Sequence, residues 1–234
     1  MIAALIVAAG QGIRMGATQR KQYLALAGQP ILVHTLKAFD ASPDVERIVL
    51  VVPGEEIEYC RQRIVAGAQI STDMLLVPGG ARRQDSVRNG LQRIDDDQGI
   101  VLIHDGVRPL VFPRLIAACI QGVQRWEACI PAVEVSDTLK QTDAAGVITR
   151  TVPREGLQMA QTPQGFRLAL IREAHRRALQ EGWQATDDAS LVERMGVAVH
   201  TILGDRANIK ITTPEDLRWA EIFFALKDRG ERLA

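Results

Sequence analysis

Three glycines and three cations near the start of the chain have the types and spacing for phosphate chemistry. The run 4-ALIVAAGQGIRMG-16 places Gly10, Gly12 and Gly16 after an apolar stretch, with Arg14 inside the loop and Arg20 and Lys21 just beyond it. A strand that runs into a glycine-rich turn presents backbone N–H groups that can cradle phosphate oxygens. The G-x-G-x-x-x-G spacing is close to a dinucleotide fingerprint. That fingerprint also needs an acidic residue at the tip of the second strand. Here 50-LVVPGEE-56 puts Glu55 and Glu56 after a Pro-Gly turn instead. A helix N-terminus binds pyrophosphate without cations. A loop carrying Arg14, Arg20 and Lys21 suits a reaction in which charge builds up on phosphoryl oxygens. No G-K-[ST] follows the glycines, which excludes a P-loop NTPase.

Three later stretches carry comparable chemistry. The double glycine Gly79-Gly80 in 78-PGGARRQDSV-87 precedes a helix bearing Ser86. In 104-HDGVRP-109, Asp105 follows an apolar run directly, where a carboxylate can hold Mg2+ on substrate phosphates or simply serve a turn before Gly106. Arg108 offers a planar fork for a second phosphate, or a surface ion pair. Lys210 sits in a strand-like NIKIT segment, 208–212, pointing to solvent or to a site edge. His104 belongs to an apolar strand and reads as structural. His34, His175 and His200 are scattered and form no metal-spaced cluster. Asp187 and Asp188 read as helix caps with Ser190, and the run Asp95–Asp97 reads as a solvated connection.

The elements that must position these residues alternate. Apolar runs at 2–8, 48–52, 74–77, 100–104, 128–133 and 199–202 are separated by helical patterns at 30–41, 55–66, 84–94, 113–123, 168–179, 190–195 and 214–226. Several runs are apolar at every position, as in parallel strands buried on both faces. The expectation is an α/β fold, Rossmann-like, with a mostly parallel sheet flanked by helices. Ligands then gather beyond the carboxyl ends of the strands, where the four stretches above all lie. Residues 138–141 and 147–152 break the rhythm as a hairpin around the turn DAAG. An isolated two-stranded hairpin is marginally stable in water, so it is expected to pack on a second copy of the chain. The chain reads as one domain, 1–234, with a projecting β-arm at about 134–160.

Bulk numbers exclude other classes. Aromatic residues are only 4%, against a carbohydrate-stacking or single-strand nucleic-acid platform. Lys+Arg and Asp+Glu balance at 28 each, so no global field draws the chain to nucleic acid or to a membrane surface. No apolar stretch reaches the roughly 18 residues that span a bilayer. Three cysteines, an odd number without a C-x-x-C pair, read as reduced thiols in a cytoplasmic protein.

In order along the chain, AAGQGIRMG, 21-KQYLALAGQPILVHTL-36, 79-GGARRQDSV-87, 104-HDGVRP-109, 137-DTLK-140, 162-TPQGF-166, 186-TDDAS-190 and 208-NIKITTPEDL-217 resemble a known set. They are similar to the 2-C-methyl-D-erythritol 4-phosphate cytidylyltransferases of the non-mevalonate isoprenoid pathway. The resemblance runs from about residue 3 to about residue 222. It implies a Rossmann-like homodimer joined through the β-arm, and transfer of CMP from CTP to the polyol phosphate with a divalent cation such as Mg2+. It assigns Arg14, Lys21 and Lys210 to transition-state charge, and Ala8, Ala9, Gly10, Gly12, Gly80 and Ser86 to the nucleotide. Asp105 would serve the metal and the substrate. Arg108, Thr138, Arg154, Thr162 and Thr186 would surround the polyol phosphate, with Thr138 and Arg154 reaching across from the partner. The chain departs from the family pattern at Val7, Arg20, Ala81 and Ala207. A cytidylyltransferase for another polyol phosphate such as ribitol 5-phosphate shares the scaffold. An NAD-dependent oxidoreductase and a nucleotide-binding regulatory protein are more distant readings.

Overall fold

A computed structural model describes residues 1–10 and 20–228. Eight strands form one sheet, in which β10 (Gln158–Ala160) and β11 (Gln164–Arg167) pair with one edge of β7 (Ala128–Glu134) and β12 (His200–Leu203) with its other edge, and β11 leads on through β6 (Ile100–Asp105), β1 (Ile2–Val7) and β4 (Arg47–Val52) to β5 (Asp73–Pro78). β1 (Ile2–Val7) is the axis, pairing in parallel with both β4 (Arg47–Val52) and β6 (Ile100–Asp105). β5 (Asp73–Pro78) lies parallel outside β4. Register brings Val7 opposite Asp105 and Val51, and Val52 opposite Pro78. Four strands therefore end level, and the loops after them leave from one edge of the sheet.

Alternation along β1 separates two cores, because successive side chains point to opposite faces. Ala4 and Ile6 join Ile48, Leu50 and Leu102 on one face. There α1 (Ile31–Asp40) and α5 (Pro113–Trp126) cover them with Leu32, Leu36, Phe39, Ile116 and Val123. Ala3 and Leu5 join Val49, Val51, Val101 and Ile103 on the other face. Those residues lie under α4 (Arg83–Leu91), α6 (Leu168–Glu181) and α7 (Ala189–Arg194). α8 (Pro214–Asp228) closes a third, smaller cluster with Leu26, Val107, Leu110 and Ile211. The short strands β2 (Ala25–Leu26) and β3 (Gln29–Pro30) form a small ribbon before α1.

The six expected strands and the alternating order stand, with shifts of one or two residues at their ends. The 55–66 pattern is less regular than expected. α2 (Ile57–Tyr59) passes through a π-helical stretch, Cys60–Val65, into α3 (Ala66–Ala68). The 208–212 segment is not a strand. It is a loop docked through a hydrogen bond from Ile211 N–H to the Val107 carbonyl, 2.9 Å. The Asp95–Asp97 run is not simply solvated, since Asp96 pairs with the Met1 amino group at 2.9 Å and Asp97 with Arg172.

Two strands carry no clear sequence signal. β10 (Gln158–Ala160) and β11 (Gln164–Arg167) run antiparallel to β7 (Ala128–Glu134), and β11 wedges between β6 and β7. β12 (His200–Leu203) completes that end, parallel to β7. The hairpin of β8 (Leu139–Thr142) and β9 (Ile148–Val152) pairs only with itself among the described strands. Its Val147 and Ile148 are 61% and 59% exposed.

β11 anchors this half of the sheet by burying Phe166 completely in the second core. Phe166→Ala is expected to lower the unfolding free energy by about 3–5 kcal/mol, because the cavity left between β6 and β7 adds to the lost transfer energy. Urea denaturation of the purified variant measures it.

Candidate active site

A cleft of about 450 Å3 opens over the ends of β1, β4, β5 and β6. That volume suits a small-molecule ligand. Its walls include Ala8, Ala9, Gly10, Lys21, Gly80, Ser86, Asp105 and Lys210. The loops come together because glycines let them. A Cβ on Gly79 would lie 2.4 Å from the Ala9 Cβ, and one on Gly106 would lie 2.9 Å from the Ala8 Cβ.

Ser86 fastens the double-glycine turn rather than facing a ligand freely. Its Oγ accepts the Gly80 N–H at 3.0 Å and donates to the Arg82 carbonyl at 3.1 Å. Gln22 donates to the Ala8 carbonyl at 2.7 Å and so ties the Lys21 segment to the end of β1.

Asp105 is the electrostatic centre. Lys210 Nζ stands 3.0 Å from its Oδ2, Arg108 Nε 3.5 Å from the same oxygen, and Arg83 Nε 3.3 Å from Oδ1. Burial alone would raise this carboxyl. The charges of Arg83, Lys210 and Arg108 outweigh it and hold the group well below the usual carboxylate range. The Arg108 contact is a charge contact, since its buried Nε makes no hydrogen bond. Its firm bond runs from Nη1 to the Asn208 carbonyl, 2.7 Å.

A neutral network stands behind the carboxylate. His104 is fully buried, and burial pushes its pKa down to about 4. Its Nε2 lies 3.1 Å from the Arg108 carbonyl, which can only accept, so Nε2 carries the proton. Nδ1 then accepts from the Thr162 hydroxyl at 2.9 Å, and that hydroxyl accepts the Asp105 N–H at 3.2 Å. Asn208 donates to the Thr162 carbonyl at 2.8 Å, which seats the Lys210 loop. His104 is structural, as expected. Thr162, buried at 5% exposure, orients Asp105 from behind.

Other expected site residues stand apart. Gly12 and Arg14 lie outside the described residues. Thr138, Arg154 and Thr186 are exposed and do not line this cleft, and Arg154 donates to the Ser136 carbonyl within its own arm. Arg20 is not an unpaired cation for phosphate. Its guanidinium is held by Glu55 at 2.6 Å and Glu56 at 2.7 Å.

Arg83 is the functional residue that the sequence did not single out. It lines the cleft, and its Nη1 donates to Asp188 Oδ2 at 2.7 Å while Nε reaches Asp105. Asp188 is buried and also meets His175 Nε2 at 3.1 Å. The TDDAS motif thus divides its labour. Asp187 caps the helix through the Ser190 N–H, 3.1 Å, and Asp188 is a buried counter-ion. The pair Arg82-Arg83 after the double glycine was the available signal, without an indication of which arginine turns inward.

Among the described residues no group of three or more His, Cys, Asp or Glu could hold a metal. The carboxylates lining the cleft are Asp105 and Glu55, and Glu55 is taken by Arg20. A single carboxylate fits Mg2+, which usually takes one or two and fills its shell with phosphate oxygens and water.

Comparison with known proteins places these features. A family model described as 2-C-methyl-D-erythritol 4-phosphate cytidylyltransferase matches residues 2–226. A protein of that name from Geotalea uraniireducens is 48% identical over 224 residues, 95% of this chain and 96% of the relative. Another from Pelotomaculum thermopropionicum is 49% identical over 234 residues, 100% of this chain and 97% of the relative. The crystal structure of a 4-diphosphocytidyl-2C-methyl-D-erythritol synthase from Anaerococcus prevotii superimposes with a TM-score of 0.82 at 29% identity, covering 96% of both chains.

The Arg83–Asp188 pair generates a stability prediction. Arg83→Met strands a buried carboxylate and should cost about 3 kcal/mol. Adding Asp188→Leu should recover more than half of that loss, because no unpaired charge remains. Urea unfolding of the two variants measures both.

Proposed function

The chain belongs to the 2-C-methyl-D-erythritol 4-phosphate cytidylyltransferase family, and on that premise we propose that it transfers CMP from CTP to 2-C-methyl-D-erythritol 4-phosphate. The products are 4-diphosphocytidyl-2-C-methyl-D-erythritol and pyrophosphate. The observation that carries this reading is the cluster of Lys21, Arg83, Arg108 and Lys210 at or behind one glycine-walled cleft, with a single buried carboxylate at its centre. An oxygen of the substrate phosphate attacks the α-phosphorus of CTP in line, forming a P–O bond as the bond to the β-phosphate oxygen breaks. The nucleophile is already anionic, so no strong general base is required. Catalysis is positioning and charge stabilisation.

Ala8, Ala9, Gly10 and Gly12 would follow the nucleotide with their backbone, and the turn that Ser86 fastens at Gly80 would shape the far wall. Arg14, Lys21 and Lys210 would meet the charge that builds up on the reacting phosphates. Asp105 would hold Mg2+ when CTP brings it, and the ion would neutralise charge on the triphosphate. Lys210 and Arg83 keep Asp105 ionised for that role. Arg108 and Thr186 would border the polyol phosphate, while Thr162, expected beside it from the resemblance, would act from behind by holding Asp105 in place. An NAD-dependent reading loses its acidic ribose clamp, because Glu55 and Glu56 are committed to Arg20.

The whole chain, 1–234, reads as one nucleotidyltransferase domain with an arm at about 134–160. An unsupported hairpin with exposed Val147 and Ile148 supports a homodimer in which Thr138 and Arg154 complete the partner's site. Three unpaired buried cysteines fit a cytoplasmic protein, and among the described residues no helix is long and apolar enough to cross a membrane.

Two experiments test this reading. In a pyrophosphate-release assay with CTP and a panel of polyol phosphates, turnover should depend on methylerythritol phosphate, and Lys21→Ala should lower kcat by about 100-fold or more with little change in CTP affinity. Faster turnover with ribitol 5-phosphate would move the substrate assignment. Mixing inactive Arg154→Ala and Lys21→Ala subunits should restore part of the activity. No rescue in confirmed heterodimers would remove the arm from the site.

A further inference from the structure

We propose that Arg20, Glu55 and Glu56 form a latch that positions Lys21 for the transfer reaction. The inference rests on the reading above, in which Lys21 acts on the reacting phosphates.

Lys21 opens a single 3-10 turn, Lys21–Tyr23. So short a turn does not fix its own orientation. It contains the bonds Tyr23 N–H to Arg20 carbonyl at 3.0 Å and Leu24 N–H to Lys21 carbonyl at 3.2 Å. Its placement comes from its flanks, and each flank is tied to the end of a different parallel strand. Gln22 donates to the Ala8 carbonyl just after β1. Arg20 spreads its fork over consecutive carboxylates after β4, with Nη2 to Glu55 Oε1 at 2.6 Å and Nε to Glu56 Oε1 at 2.7 Å. Those carboxylates sit in the turn Gly54–Glu56, itself closed by a bond from Glu56 N–H to the Pro53 carbonyl, 2.9 Å.

The turn is held from its other end too. Tyr23 is buried at 5% exposure and meets Tyr59 edge-on with ring centroids 5.3 Å apart. Burial keeps the Tyr23 phenol protonated, and the Glu56 carboxylate adds to that, while the Tyr23 hydroxyl itself makes no hydrogen bond. Lys21 itself faces the cleft. The arrangement uses residues preceding and following the lysine as supports and leaves the lysine to point inward.

An ion pair of this kind contributes little to stability. Its effect on rate can be much larger, because lysine carries its charge on a flexible stem and a misplacement of about 1 Å can cost up to about 100-fold. Arg20 is thus a positioning residue, separate from the cations that meet phosphate.

The test is a kinetic cycle with Arg20→Met, Lys21→Ala and the double variant. Arg20→Met should lower kcat about tenfold, with KM for CTP within about twofold and the melting temperature nearly unchanged. In the Lys21→Ala background it should cost nothing further. Multiplying losses, an unaffected kcat, or a loss matched by collapse of the melting temperature would each overturn the latch. A second readout does not depend on turnover. Peptide mapping after treatment with an amine-modifying reagent should show the rate at Lys21 altered severalfold in Arg20→Met, with Lys210 unchanged. Equal rates at Lys21 in both proteins would refute the proposal. If the unmodified chain releases no pyrophosphate, the transferase reading fails while this mapping still decides the latch.

Discussion

The site is organised around one buried carboxylate shared by three cations. Asp105 ends a strand buried at every position, so its negative charge enters the protein at a cost. Arg83, Arg108 and Lys210 arrive from three separate segments to offset that cost. Each cation is in turn fixed by something else: Arg83 by Asp188, Arg108 by the Asn208 carbonyl, and Lys210 by the docking of its loop against Val107. The carboxylate therefore gathers α4, the loop after β6 and the loop before α8 at one point.

Strand register makes this convergence possible. β1, β4, β5 and β6 run parallel and end level, so the loops after them share one edge. Parallel strands covered on both faces tolerate little side-chain variety along their length. Chemistry is pushed to the ends, where polar groups can meet solvent and ligand. The neutral pair His104–Thr162 sits just inside that boundary. A charged imidazole there would add a fourth positive group beside Asp105, and burial keeps it neutral.

The loops reach the cleft by two kinds of support. Glycines at Gly79 and Gly106 allow backbone approaches that any side chain would block. Ion pairs and amide contacts, such as Arg20 with Glu55 and Glu56 and Gln22 with Ala8, brace the segment that carries Lys21. The arm is different in kind. Among the described strands its β8–β9 hairpin pairs only with itself, and it leaves Val147 and Ile148 exposed.

The sequence by itself determined the alternating α/β order, six strands of the sheet, the hairpin, the family, and the stretches that meet at the cleft. Apolar periodicity and glycine spacing are local signals, and local signals survive in a linear text. It did not determine β10 and β11, because their residues are short, partly polar and stabilised by insertion beside β6 and β7 rather than by their own pattern. Nor did it distinguish the fates of neighbouring charges. Arg20 and Lys21 read alike, as do Arg82 and Arg83, and Asp187 and Asp188. Only the tertiary structure sent Arg20 to two glutamates, Arg83 to two buried aspartates, and Asp188 inward while Asp187 capped a helix. The physical reason is that Arg20 and Arg83 take their roles from partners 22 to 105 residues away in sequence. Which of two adjacent side chains faces them is fixed by the packing of the elements between.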